Sequence, residues 1–245
     1  YFVLLGLKRG ELTEYNFSWR IINGVNVKVG QQKIPIVIEN QMSPVKVEFI
    51  QFSKTMEYLV GGGFDVLRNQ NGKHNSGRDI GFQIFGEAFK LNERPFLEYA
   101  VGIFQGSGIN SSAYRSDKDF TMNLLLSPFK GFRVGGGAYF GQAKYEDVQR
   151  NIDLGKHVRN RWVASSDYQS ELLTARVEYV YGNDAGIQKD GVNGIVTWAF
   201  VPQKWYLLGK VEYYNDNRRI DREFIDFAGG VTFKFAKGCR LQYNH

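Results

Sequence analysis

The chain has 245 residues, with 14 Tyr, 19 Phe and 28 Gly against five Pro and three Met, and a formal net charge of +6. No run approaches the roughly 18 apolar residues of a membrane helix; a mean hydropathy of −0.35 still leaves a transmembrane barrel open, because alternating strands average out as hydrophilic. The aromatic-rich, proline-poor profile points to strands, the scattered basic residues argue against nucleic acid as a partner, and the single Cys239 closes no internal disulfide.

The amino end, YFVLLGLKRG, shows neither an initiating Met nor a basic leader and is expected to be an interior or processed segment. Period-two alternation with turn punctuation predicts about thirteen strands, each near the ten residues that a tilted membrane strand requires. They fall at 1–7, 12–21, 25–36, 78–89, 96–106, 118–127, 132–144, 160–169, 172–182, 191–201, 205–215, 226–236 and 239–245. In EYNFSWRI, Tyr15, Phe17, Trp19 and Ile21 share one face, with Asn16, Ser18 and Arg20 on the other. In LLTARVEYVYGND, Leu173, Ala175, Val177, Tyr179 and Tyr181 oppose Thr174, Arg176 and Glu178. GVNGIVTWAFV, WYLLGKVEYY and DFAGGVTFKF repeat the split.

From residue 37 onward the connections alternate between long (37–77, 107–117, 145–159, 183–190, 216–225) and short (91–95, 127–131, 170–171, 202–204, 237–238). The short KRGE at 8–11 breaks the order. Long loops at one end and tight turns at the other are the pattern of outer-membrane barrels. Alternation alone also fits a soluble sandwich with a wet polar face. Aromatic residues near the strand ends, where interfacial girdles sit, favour the barrel.

A lipid-facing Arg near mid-bilayer costs about 2–4 kcal/mol, so the charged faces are expected to turn toward a watery lumen. The inward cations are then Arg20, Lys28, Arg161, Arg176, Lys210, Lys234 and Arg240. The inward acids are Glu14, Asp79, Glu98, Asp119, Asp167, Glu178 and Glu212, equal in number. Arg176 with Glu178, and Lys210 with Glu212, stand two apart on one face and can neutralise each other. If 37–77 is external, 1–7 and 239–245 both run outward, and a closed barrel needs a further strand. The chain thus reads as one domain, 1–245, of an all-β transmembrane antiparallel barrel of 14 or 16 strands, incomplete at both ends.

VGQQKIPIVIENQMSP (29–44) carries Gly-Gln-x-Lys-x-Pro leading into Glu-Asn and Ser-Pro. This segment resembles the phosphate-selective porin O/P family, especially its Bacteroidetes members. RDIGFQIFG (78–86), YAVGIFQGSGIN (99–110) and KDFTMNLLLSP (118–128) resemble the family's next strands in order, and the likeness covers most of 12–200. The resemblance implies a 16-stranded, trimeric barrel without cofactor in a Gram-negative outer membrane. It implies passage of small anionic or neutral solutes, with a preference for anions such as phosphate, and a long inward-folding loop. Segment 37–77 is the candidate constriction or plug; it holds Lys46, Lys54, Arg68 and Lys73 among Glu48, Glu57 and Asp65. The candidate substrate pathway is therefore Arg20, Lys28, Lys46, Lys54, Arg68, Arg161, Arg176, Lys210 and Lys234. The even charge balance departs from a dense Arg ladder, so a general pore stands beside the anion-selective one.

Catalysis finds little support. His74, His157 and His245 lack metal-ligand spacing, no Gly-x-Ser-x-Gly elbow is present, and GGGF at 61–64 has no following Lys-Ser/Thr to make a phosphate cradle. No catalytic, metal or cofactor site is expected. Three functions remain open: a passive pore, a plugged barrel serving a larger outer-membrane complex, and a soluble all-β module binding carbohydrate through aromatic faces. In the first two, outer-membrane lipid and the acidic phosphates of lipopolysaccharide are expected partners for the basic excess.

Overall fold

In the computed structural model the alternating segments form one antiparallel meander. The described residues are 1–245 apart from 7–9, 44, 62, 64, 70–76, 112–116 and 221; His74 and Lys73 lie outside them. The strands are β1 (Phe2–Gly6), β2 (Glu11–Ile22), β3 (Val25–Lys33), β4 (Leu67–Asn69), β5 (Arg78–Leu91), β6 (Arg94–Phe104) and β7 (Asp119–Phe129). They continue with β8 (Phe132–Asp147), β9 (Ile152–Gln169), β10 (Leu173–Asp184), β11 (Ile187–Val201), β12 (Trp205–Asn217), β13 (Arg222–Ala236) and β14 (Cys239–Asn244). Each pairs with its chain neighbour except β4, which leaves the path to pair with β8, so β3 meets β5 directly. The sheet is unclosed: among the described residues β1 and β14 do not pair.

The two faces reverse the arrangement of a soluble sandwich. On β7 the outward residues Phe120, Met122, Leu124 and Leu126 are exposed, while Asp119, Thr121 and Asn123 are buried on the concave side. On β10, Val177 is 54% exposed and Arg176 only 2%. Water would penalise so much exposed hydrocarbon, whereas lipid would not. The outward surface also carries aromatic chains near both ends. Trp198, Phe200, Trp205, Phe233 and Phe235 form one contiguous series toward the short turns, with Trp205 and Phe233 stacked at 4.3 Å. Phe140, Trp162 and Tyr181 form another toward the opposite end.

Three expected long loops are in fact strand. β8 and β9 extend to Asp147 and from Ile152, β12 and β13 to Asn217 and from Arg222, and β10 and β11 meet across Ala185–Gly186. Those two residues have φ of 52° and 85°, the positive pair of a tight hairpin turn. Their polar residues interrupt the apolar period and so read as loop. Hairpin pairing needs only backbone groups, and above the oil both faces of a ribbon tolerate polar side chains. The 37–77 segment is also structured: it contains α1 (Ile38–Gln41), a π-helical turn (Thr55–Val60) and β4.

Candidate functional site: the lumen and its folded-in segment

After β3 the chain leaves the sheet at Ile34, Pro35, Ile36 and Val37, an apolar run that cannot continue a strand whose inner face is wet. It turns into the concave side instead. Ile34, Ile36, Val37, Met56, Leu59 and Val60 bury against Phe104, Tyr139, Val163, Val180 and Tyr214 from the inner wall, forming an apolar core inside the sheet. Asn40 fixes the entry by donating from Nδ2 to the carbonyls of Ile34 (2.8 Å) and Gly77 (2.9 Å).

Polar wall residues then anchor the segment. Glu178 accepts from the backbone N–H groups of Ile38 (2.6 Å) and Glu39 (3.0 Å), supplying the acceptors that the start of α1 lacks. Arg176 clamps Glu48 through both terminal nitrogens (3.1 and 2.8 Å), and its Nε lies 3.5 Å from Glu178. Glu39 accepts from the Ser53 N–H (3.1 Å) and hydroxyl (2.5 Å) and from Asn193 Nδ2 (3.2 Å). Burial pushes the Glu39 carboxyl up to about 7; the Ser53 hydroxyl and Arg176 oppose this, and Glu178 adds to it. Farther along, Arg161 donates to the Leu59 carbonyl (2.7 Å) and holds Asp184 with both terminal nitrogens (2.7 and 3.0 Å). Lys189 pairs with Asp65 at 2.5 Å.

The nine candidate pathway residues therefore separate. Arg161 and Arg176 are buried and ion-paired, and Lys210 sits 3.2 Å from Glu212 with its ammonium over the Phe49 ring. Lys54 pairs with Asp226, Arg68 lies 3.8 Å from Glu146, and the exposed Lys234 donates to the Tyr206 hydroxyl at 3.2 Å. Arg20, Lys28 and Lys46 line a cavity of about 1350 Å³ between the folded-in segment and the short-turn ends of β2, β3 and β5–β8. Lys90 and Arg133 add to its cations, against Glu87 and Glu98. Arg133 is committed to Glu98 (3.2 Å) and Asp167 (2.7 Å). That leaves four cations, Arg20, Lys28, Lys46 and Lys90, without an ion pair among the described residues, facing Glu87.

Sequence reasoning missed Arg133, Arg159 and Lys189 among the inward cations. Arg159 shares the inward parity of Arg161 and Asp167, and Lys189 that of the polar face of Asn193 and Thr197. Arg159 and Lys189 stand just before the expected starts of their strands at 160 and 191, and so fell into loops; Arg133 lay inside the expected strand 132–144, on which no face had been assigned, and it stands directly opposite the inward Asp167 of β9.

No family model matches the sequence, and no curated protein does. Solved structures do. The outer-membrane expressed OmpT of Vibrio cholerae aligns with a TM-score of 0.61 at 13% identity, over 95% of this chain and 69% of that one. Salmonella typhi OmpF, solved in complex with daunomycin, gives 0.61 at 12% identity over 90% and 66%. An anion-selective porin from Comamonas acidovorans gives 0.57 at 12% over 87% and 60%. At such identities the likeness carries the fold alone: an antiparallel sheet of outer-membrane porin type, spanning 60% to 69% of the length of these neighbours.

Proposed function

We propose that this chain belongs to an outer-membrane channel of a Gram-negative bacterium, not an enzyme, that lets small hydrophilic solutes diffuse passively and favours anions. The cavity carries this reading: Arg20, Lys28, Lys46 and Lys90 against Glu87 leave a positive excess where a solute must pass. In this reading Arg20, Lys28 and Lys46 are the pathway residues, while Arg161, Arg176 and Lys210 keep the folded-in segment in place. The name of the Comamonas neighbour agrees with an anion preference. The Gly-Gln-x-Lys-x-Pro motif supports phosphate among the solutes, a trimer, and a Bacteroidetes source. The outward aromatic belts support contact with lipid and lipopolysaccharide.

Reversal potential under a salt gradient, measured in planar bilayers on the full-length chain, tests this. The wild type is expected to favour anions, and Lys28→Glu with Lys46→Glu to move the potential toward cation preference. An unchanged potential removes the site assignment; silence at every voltage removes the channel.

One observation favours a second reading, a plugged barrel acting as a structural or partner-binding subunit of a larger outer-membrane complex. The folded-in segment makes a dry apolar core in the lumen, which a bare constriction does not require. Co-purification of a stoichiometric non-self partner with a blocked pore would favour it.

A further inference from the structure

The cavity is not lined as a site for bare inorganic ions would be. Beside its cations stand three aromatic rings, Phe85, Phe89 and Tyr99. Lys28 Nζ lies 4.9 Å from the centre of the Phe85 ring, so a cation and a ring face already adjoin. The Tyr99 hydroxyl donates to the Gly24 carbonyl at 3.0 Å, which fixes that ring against the β2–β3 turn.

Phe89 is the informative residue. The β5–β6 ladder passes from Ala88–Leu97 to Lys90–Pro95, and between these pairs Phe89 takes φ of 52°. A bulky side chain seldom adopts this left-handed backbone, which costs free energy that the surroundings must offset. The ring gains no burial in return: Phe89 is 74% exposed. It lines the cavity together with Phe85, Glu87 and Lys90. Strained backbone, an uncovered ring beside the cavity and neighbouring ammonium groups without an ion pair among the described residues together describe a half-built amphiphilic site.

We propose that this cavity binds organic anions with an aromatic body, the carboxylate held between Lys28 and Lys90 and the ring covering Phe89. Acetate and inorganic phosphate, lacking a ring, gain the charge term alone. The inference rests on the reading that solutes enter this cavity, and it names their chemical class.

Equilibrium binding to the full-length protein in non-ionic detergent, by calorimetry against matched empty micelles, tests it with 2-naphthoate, acetate and inorganic phosphate as probes. Naphthoate is expected to bind at least about tenfold more tightly than acetate, since covering an aromatic ring removes enough apolar surface for that factor. Phe89→Ala should cut naphthoate affinity about tenfold and acetate affinity far less, whereas Phe89→Trp should keep the preference. Lys28→Gln with Lys90→Gln should weaken both carboxylates. Equal affinity for naphthoate and acetate, or a preference surviving Phe89→Ala, overturns the proposal. Binding does not require conduction, so a non-conducting protein that binds naphthoate defeats the channel and keeps this site, while a conducting one with no preference does the reverse.

Discussion

Replacing Arg176 by Met removes a guanidinium, 2% exposed as a side chain, from between Glu48 at 2.8 Å and Glu178 at 3.5 Å. Met fills much of the same space, so the main loss is electrostatic. Glu48 and Glu178, both buried, then face each other and Glu39 without their cation. Breaking a buried pair by deleting one partner costs about 3–5 kcal/mol. The strands stay paired through their backbone ladders, so this cost falls on the folded-in segment. At about 1.4 kcal/mol per decade, its opening equilibrium rises roughly a hundredfold to a thousandfold or more. Hydrogen exchange reads this directly: the Ile38 and Glu39 N–H groups bonded to Glu178, and the Ser53 N–H bonded to Glu39, should lose that much protection. Amides of the β9–β10 ladder should keep theirs. Wild-type protection at Ile38, Glu39 and Ser53 in Arg176→Met would refute the claim that ion pairs hold the segment to the wall.

The carboxyl of Glu39 titrates at about 7 against an ordinary 4.5, so its stabilising contribution is complete below about 4.5 and is lost as pH rises through 7. That gap corresponds to about 3 kcal/mol. Exchange at Ser53 should be slower at pH 5 than at pH 8 after correction for intrinsic rates, and Glu39→Gln should hold the protected value at pH 8; a flat wild-type profile would contradict it. On the outward face, Val177→Arg should cost about 2–4 kcal/mol in lipid, measured by reversible unfolding from bilayers, and a change below 0.5 kcal/mol, of the size usual at an exposed surface, would place that face in water. Leu59, fully buried in the lumen core, should cost about 2–5 kcal/mol on truncation to Ala, seen as lost amide protection at Gly61, whose N–H bonds to the Met56 carbonyl; protection unchanged there would argue that the core does not hold the segment.

Which residues meet lipid and which meet the lumen was legible in the chain itself. Side-chain direction in a strand alternates with period two whatever the surroundings, so parity alone put Val177, Trp198 and Phe233 outside and Arg176, Glu178 and Lys210 inside. Strand ends were less legible, because β8–β9 and β12–β13 continue as polar ribbons where the oil no longer enforces alternation. Which lumen charges are spent on structure was decided by the tertiary fold. Arg176 meets Glu48 from 128 residues away, and Arg161 meets the Leu59 carbonyl from 102. No period in the sequence encodes such pairings; they exist because an apolar segment after β3 sought burial inside the sheet and brought its own carboxylates and carbonyls to the wall. Arg20, Lys28 and Lys90 on the wall and Lys46 on the segment stay clear of ion pairs among the described residues for the complementary reason, that they line the cavity left between segment and wall.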